Sequence, residues 1–380
     1  MTNGSAAAGG AVRHRFDSAL TPGQDLAYGA LMVTSGTVSV LGNAAVLLMF
    51  HRRRARLETV EYLLYNLTVS TLLMMAVTCP LNAASAFSHR WIFDELGCVL
   101  HGALSFFCGL VNISALVSIG AIRYIKTCWA FTDSVNNART PVRLLAAVYV
   151  WAAFWSSCPL LGWGRYGVEQ HGLCCSLDWL PRTAGERCYI ALAALAALFL
   201  PAGALVFFYW RIVVVVRRTQ RHAGRGGARK AAAETQLHLV SAVLVLGFLL
   251  AWVPYAAVSL LGTFAGERLT GPGAVAVVTV LTKNSGWYNP AIYVLFSRQY
   301  RADLRAALRL PCWCRPPAAL AQRHAPSAGR PPAPPALVSP ASSHSGGGVS
   351  RNASVHVSMS PSTPAPRVCT QPGGARETSL

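Results

Sequence analysis

Thr282-Lys283-Asn284-Ser285-Gly286-Trp287-Tyr288-Asn289-Pro290-Ala291-Ile292-Tyr293 lies inside an apolar run from Pro272 to Phe296, in which Lys283 is the only charge. The chain of 380 residues holds two other lysines, Lys126 and Lys230, and uses arginine for its remaining cations. At about 1.5 Å rise per residue, a helix of that run crosses a hydrocarbon layer of roughly 30 Å, with Lys283 near mid-depth. An ammonium there is costly, so intramembrane ionisable residues are functional candidates. An amine that is hard to keep charged is also suited to Schiff-base formation with a carbonyl compound. The plainer alternative is a lysine that snorkels or lines a watery cavity.

The rest of the chain supports further spans. It is 53% hydrophobic and 12% charged, too apolar for a soluble domain of this size. Long runs poor in charge lie at 27–50, 62–87, 97–122, 142–163, 188–216, 236–262 and 272–296. The third and seventh stand out by motif more than by hydropathy, because the third ends in a basic motif and the seventh contains the lysine. Arginines cluster after the first run (Arg52, Arg53, Arg54, Arg56), between the fifth and sixth (Arg217 to Lys230), and after the seventh (Arg298, Arg301, Arg305, Arg309). Arg139 and Arg143 sit between the third and fourth. The positive-inside rule then puts the N-terminus outside and the C-terminus inside. The net charge of +19 reads as loop charge facing an anionic leaflet of membrane lipid. Nucleic acid is excluded as a partner, since no soluble basic domain is present.

No apolar core precedes residue 26, so no cleaved signal peptide is expected. Asn3 begins a sequon on the outer side and is a glycosylation candidate. The sequons at Asn66, Asn112 and Asn352 fall in spans or on the inner side and read as chance matches. Among eleven cysteines, Cys98 starts the third run on the outer side, and Cys174 and Cys175 lie in the outer loop after the fourth. A bridge from Cys98 to one of the pair suits that oxidising compartment.

Asn289-Pro290-Ala291-Ile292-Tyr293 is an NPxxY motif closing the last apolar run, and here the chain resembles the rhodopsin-like class of G-protein-coupled receptors. A lysine six positions before that Asn is the retinal-attachment pattern of opsins. Ile122-Arg123-Tyr124-Ile125-Lys126, Cys175-Ser176-Leu177-Asp178-Trp179 and Gly247 to Tyr255 look like the neuropsin group of non-visual opsins, and the resemblance covers residues 27–310. It implies an all-α membrane protein: a seven-transmembrane helix bundle (27–296) behind an extracellular N-terminus (1–26). A short amphipathic eighth helix (297–310) and a disordered cytoplasmic tail (311–380) follow. It also implies a plasma-membrane, non-enzymatic photoreceptor whose cofactor is retinal, 11-cis or all-trans, held on Lys283.

The resemblance assigns further roles. Opsins place Asp and an aromatic shortly after the bridged loop cysteine, which selects Cys175 for the bridge to Cys98. A protonated Schiff base among apolar helices needs an anion. Visual rhodopsins supply a glutamate three residues after the span-three cysteine, where this chain has His101. Asp94, Glu95, Glu169, Asp178 and Glu186 remain at the outer side, and the run Gly162 to Glu169 looks like the opsin loop that carries a second glutamate. Glu169 is therefore the expected counterion, with His101 tuning or titrating beside it. No metal is expected. The retinal pocket is expected to include Phe106, Gly109, Phe248, Trp252, Tyr255 and Thr279, with Pro254 kinking the sixth run. For coupling, Arg123 and Tyr124 match the DRY motif with Ile122 in place of its acid. Glu234 is positioned to lock Arg123, and Tyr209, Asn289, Pro290 and Tyr293 match the activation switch. The implied partner is a heterotrimeric G protein of the inhibitory class.

Beyond the eighth helix, Cys312 and Cys314 are palmitoylation candidates. The Pro-, Ala- and Ser-rich tail offers sites for a receptor kinase and arrestin. Thr378-Ser379-Leu380 fits a PDZ protein. Three functions compete: a bistable light-sensing receptor, a retinal photoisomerase of peropsin type, and a receptor for a diffusible ligand in which Lys283 is incidental. Arg123 with Glu234, Tyr209 and Tyr293 favours the first, and Lys283 with Glu169 disfavours the third.

Overall fold

A computed structural model describes residues 16–53, 57–129, 135, 137, 139–222, 225–266, 270–296 and 298–308. Asn3, Cys312, Cys314, Leu380 and the rest of the tail lie outside those residues, as does the side chain of Glu234. Among the described residues the chain folds into seven helical spans and a short helix. In order these are α1 (Pro22–Arg53), α2 (Thr59–Phe87), α3 (Asp94–Tyr124) and α4 (Thr140–Ser157). A hairpin of β1 (Tyr166–Val168) and β2 (Cys175–Leu177) follows. The fifth span is α5 (Ala184–Ala194) continued as α6 (Leu200–His222), then come α7 (Arg225–Ala265), α8 (Pro272–Phe296) and α9 (Arg298–Leu308).

Local chemistry sets several of these ends. The α2 start is a reciprocal box, with the Glu58 side chain taking an N-terminal amide and Glu61 taking the Glu58 N–H at 3.0 Å. The fifth span starts on Thr183, whose side chain accepts from Glu186 N–H. Two π turns, Ile125–Trp129 and Leu195–Phe199, adjust the third and fifth spans. α7 begins at Arg225, ahead of the apolar run expected from 236, and its part apolar enough to cross a membrane is His238–Ala265.

Six of the spans are long and apolar enough to cross a membrane. The third, expected to be weak in hydropathy, is among them with a mean hydropathy of 1.9 over its best stretch. α8 is not among them, since Lys283, Asn284, Asn289 and Pro290 dilute it. Apolar side chains such as Leu41, Leu96, Val150 and Leu250 cover the outer surface of the bundle, the pattern of a protein solvated by lipid tails. α3 is central: it packs on α2, α4, α6, α7 and both strands.

Pro290 shows how the bundle compensates a broken helix. It lacks the N–H that would bond the Gly286 carbonyl four residues back. Asn43 of α1 donates its Nδ2–H to that carbonyl at 2.8 Å. Gly286 permits the approach, because a Cβ there would meet Ser39 Oγ and Met75 at 2.7–2.8 Å.

Candidate functional site

Lys283 is 7% exposed. Its Nζ donates to Thr78 Oγ1 of α2 and Ser105 Oγ of α3, each at 3.4 Å. The amine faces a cavity lined by Phe106, Glu169, Trp252, Tyr255, Thr279 and Thr282 among others. Phe106, Trp252 and Tyr255 form aromatic walls, and polar groups gather at the lysine end. That is the usual make-up of a small-molecule site.

The α7 wall is built at helical spacing. Trp252 stacks on Phe248 one turn before it, with centroids 5.4 Å apart and planes 14° apart, and meets Tyr255 edge-on at 6.3 Å. Gly109 of α3 lets the Trp252 ring approach: a Cβ at that position would meet the ring at 3.1 Å. Phe248 itself lines a smaller neighbouring cavity with Asn289, Thr71 and Asn112.

The β1–β2 hairpin closes the same end of the bundle. Cys175 pairs with Val168 across the strands and is bonded to Cys98 at the start of α3. The pairing that resemblance selected is thus present, and Cys174 is a buried free thiol. His101, 2% exposed, bonds through Nδ1 to the Cys175 carbonyl at 2.8 Å and meets Trp91 edge-on. It braces the hairpin one layer away from the cavity lining.

Glu169 follows β1 directly and is 9% exposed. Its N–H donates to the Cys174 carbonyl at 2.9 Å, and its own carbonyl accepts from Gly172 N–H at 2.8 Å, so the turn aims the side chain inward. Tyr255 donates its hydroxyl to Oε1 at 2.7 Å, and Thr279 donates to Oε2 at 3.3 Å. Trp179 Nε1–H in turn donates to the Tyr255 oxygen at 3.0 Å. Burial pushes the Glu169 carboxyl above the usual carboxylate range, while hydrogen bonds from Tyr255, Ser176 and Thr279 and the charge of Lys283 pull it down. Glu169 and Lys283 line one cavity without forming a direct ion pair. Of the other outer carboxylates, Asp178 is held by Arg165 at 2.6 Å and Glu186 lies 3.8 Å from the same guanidinium. Neither lines the lysine cavity.

At the opposite end of α3, Arg123 Nε–H donates to Ser241 Oγ of α7 at 2.8 Å. Tyr124 stacks on Phe208 (5.4 Å, 26°), and the fully buried Tyr293 stacks on Tyr300 (5.0 Å, 20°). Tyr209 lies against Gly120 of α3. The hydroxyls of Thr78, Ser105 and Ser241 and the side chain of His171 are site neighbours that sequence reasoning missed. Single hydroxyls on apolar helices carry no pattern. His171 was two residues from the chosen glutamate.

The lysine cavity suits retinal. One amine sits at a polar end of a largely aromatic slot, and a buried carboxylate occurs on the same wall. Comparison with known proteins agrees. A family model described as "7 transmembrane receptor (rhodopsin family)" matches residues 42–293. The chain is similar to "Opsin-5" of Mus musculus, 31% identical over 77% of this chain and 79% of that one. It is also similar to "Rhodopsin, G0-coupled" of Mizuhopecten yessoensis, 30% identical over 76% and 74%. In a crystal structure of squid rhodopsin the same fold recurs with a TM-score of 0.70 and 25% identity, covering 77% of this chain and 87% of that one. These are multi-pass receptors of the plasma membrane rather than enzymes, with retinal as the family's chromophore and G proteins as its partners. The chain belongs to the rhodopsin family of seven-transmembrane receptors and, within it, to the opsins, with its likeness to the Opsin-5 (neuropsin) group.

Proposed function

We propose that this opsin is a bistable light sensor that carries retinal on Lys283, uses Glu169 as counterion, and activates a heterotrimeric G protein of the inhibitory class. The observation that carries the reading is the buried Lys283 amine facing one cavity with the buried Glu169 carboxylate. Bound retinal would supply the light-absorbing polyene, joined through its aldehyde carbon to Lys283 Nζ with loss of water. Thr78 and Ser105 orient Nζ by accepting its hydrogens. Glu169, held by Tyr255 and Thr279, offers negative charge across the cavity from Nζ. A carboxylate on the hairpin, rather than on α3, keeps its place when the third, sixth and seventh spans rearrange. That favours a photoproduct which retains its proton and its chromophore.

Trp252, packed on Gly109, is the side chain a change of polyene shape would displace first. Pro254 removes a helix hydrogen bond below Tyr255, which lets α7 bend there. Bending α7 at its inner half moves Ser241 away from Arg123 and frees the arginine for a G protein. The inhibitory class is supported by the G0 coupling named for the scallop relative. The N-terminus faces outward, the C-terminus inward, and the remaining tail proposals are a kinase, arrestin and a PDZ protein.

The test is an absorption spectrum of protein purified after incubation with 11-cis and, separately, all-trans retinal. Visible bands in the wild type, none in Lys283→Ala, reversible conversion by two wavelengths and a light-driven fall in cyclic AMP are expected. A pigment in Lys283→Ala refutes the attachment, and bleaching to free retinal refutes bistability. A photoreaction without nucleotide exchange on any G protein would favour a photoisomerase.

A further inference from the structure

The turn joining β1 to β2 gathers Glu169, His171 and Cys174, whose heteroatoms lie within 4.8 Å of one another. His171 is wholly buried and has no part in the reading above. Its partners fix its tautomer. Leu173 N–H donates to Nδ1 at 3.1 Å, so Nδ1 is the bare nitrogen and the neutral ring carries its hydrogen on Nε2. Burial pushes the ring's protonation down to about 3, so the ring is neutral at physiological pH. Nε2 lies 3.5 Å from Cys174 Sγ, within hydrogen-bond range of sulfur, and 3.8 Å from Glu169 Oε2, beyond a direct hydrogen bond. A metal ion would need a lone pair on Nε2, which this tautomer does not offer. The cluster sets an N–H dipole beside the carboxylate instead, with Cys174 Sγ as its hydrogen-bonded neighbour.

Resting on Glu169 as counterion, we propose that His171 is its positioning residue. The buried Nε2–H, locked by the Leu173 amide, steadies the ionised carboxylate and so sets the pH at which the pigment changes colour. Every element around the ring bears on this. From α1, Tyr28 lies 5.2 Å from the ring, with the Cys79 thiol of α2 beyond it. From α7 and α8, Tyr255, Thr279 and Lys283 act on the same carboxylate. The His171 carbonyl accepts from Ala19 N–H and from the Ser18 hydroxyl, and Ser18 also bonds Asp25 at 2.7 Å. These contacts hold the backbone of the turn, leaving Nε2–H free to serve Glu169 and Cys174.

The experiment titrates the visible band of the full-length, retinal-loaded protein from neutral to acid pH, in the wild type, His171→Phe, His171→Asn and Glu169→Gln. Phe keeps the ring volume without the N–H, so the acid transition should move up by about one pH unit. Asn restores a donor and should return most of that shift. Glu169→Gln should abolish the transition. If His171→Phe assembles poorly, His171→Leu is titrated in its place. A His171→Phe or His171→Leu curve that superimposes on the wild type, while Glu169→Gln removes the transition, overturns the proposal and spares the counterion. An acid transition that survives in Glu169→Gln overturns both. A wild-type spectrum that zinc chloride shifts, with the shift lost in His171→Phe, overturns the proposal in favour of a metal site.

Discussion

Tyr255→Phe is the sharpest probe of the cavity's charge. The hydroxyl donates to Glu169 Oε1 at 2.7 Å and accepts from Trp179 Nε1 at 3.0 Å, so phenylalanine removes one short bond to a carboxylate and strands an indole N–H. A hydrogen bond to a charged group contributes about 1.5–3 kcal/mol. At about 1.4 kcal/mol per pH unit, its loss raises the Glu169 carboxyl by roughly 1–2 pH units. The sign follows from the surroundings: burial already pushes this carboxyl up, and the tyrosine is among the groups that hold it down. The acid transition of the visible band should therefore move to higher pH by that amount. Absorbance titration of detergent-purified pigment reads the shift. A curve that superimposes on the wild type would refute the placement of charge on Glu169.

Three further outcomes follow from the geometry. Gly172 has φ +82°, and a Cβ there would overlap the Asp17 carbonyl oxygen; Gly172→Ala should cost about 2 kcal/mol or more, read as faster thermal loss of the visible band. Ser241→Ala removes the bond that holds Arg123 Nε, a change of about 1 kcal/mol; dark nucleotide exchange should rise about five-fold with the spectrum unchanged. His171, held near 3 against its usual ~6.5, takes up a proton when unfolding exposes it. The unfolded state then binds more protons between those limits, so stability falls as pH drops through that window. Thermal inactivation should steepen with acid more in the wild type than in His171→Asn.

The bundle was legible because a lipid-facing helix must be apolar over a fixed length, and arginine placement is read along the chain. The seventh span had to be recognised from Lys283 and NPxxY, as its own hydropathy falls short. Glu169 was singled out by the likeness of Gly162 to Glu169 to an opsin loop, since five acidic residues compete for the outer side. Thr78, Ser105 and Ser241 were not, since which hydroxyl faces a neighbour depends on helix rotation and crossing angle. The apolar run of the sixth span marks its membrane-crossing part and not the helix start, because the first turns of α7 are helical without being apolar. The tautomer of His171 was out of reach for a different reason: it is decided by a backbone amide two residues on, in a turn whose shape only the fold reveals.

The Asn43 amide on the Gly286 carbonyl gives α8 an articulation point. Above it lies Lys283, less than one turn away; below it lie Asn289, Pro290 and Tyr293. Pro290 leaves the Gly286 carbonyl without its helical partner, which weakens α8 at that step, and the substitute bond belongs to α1. The first span also holds the lysine-bearing turn directly, since Ser35 Oγ donates to the Lys283 carbonyl at 3.3 Å, so it is the stator against which the upper half of α8 works. A torque applied at Nζ is therefore delivered to Tyr293 through a bearing that a single asparagine side chain keeps seated.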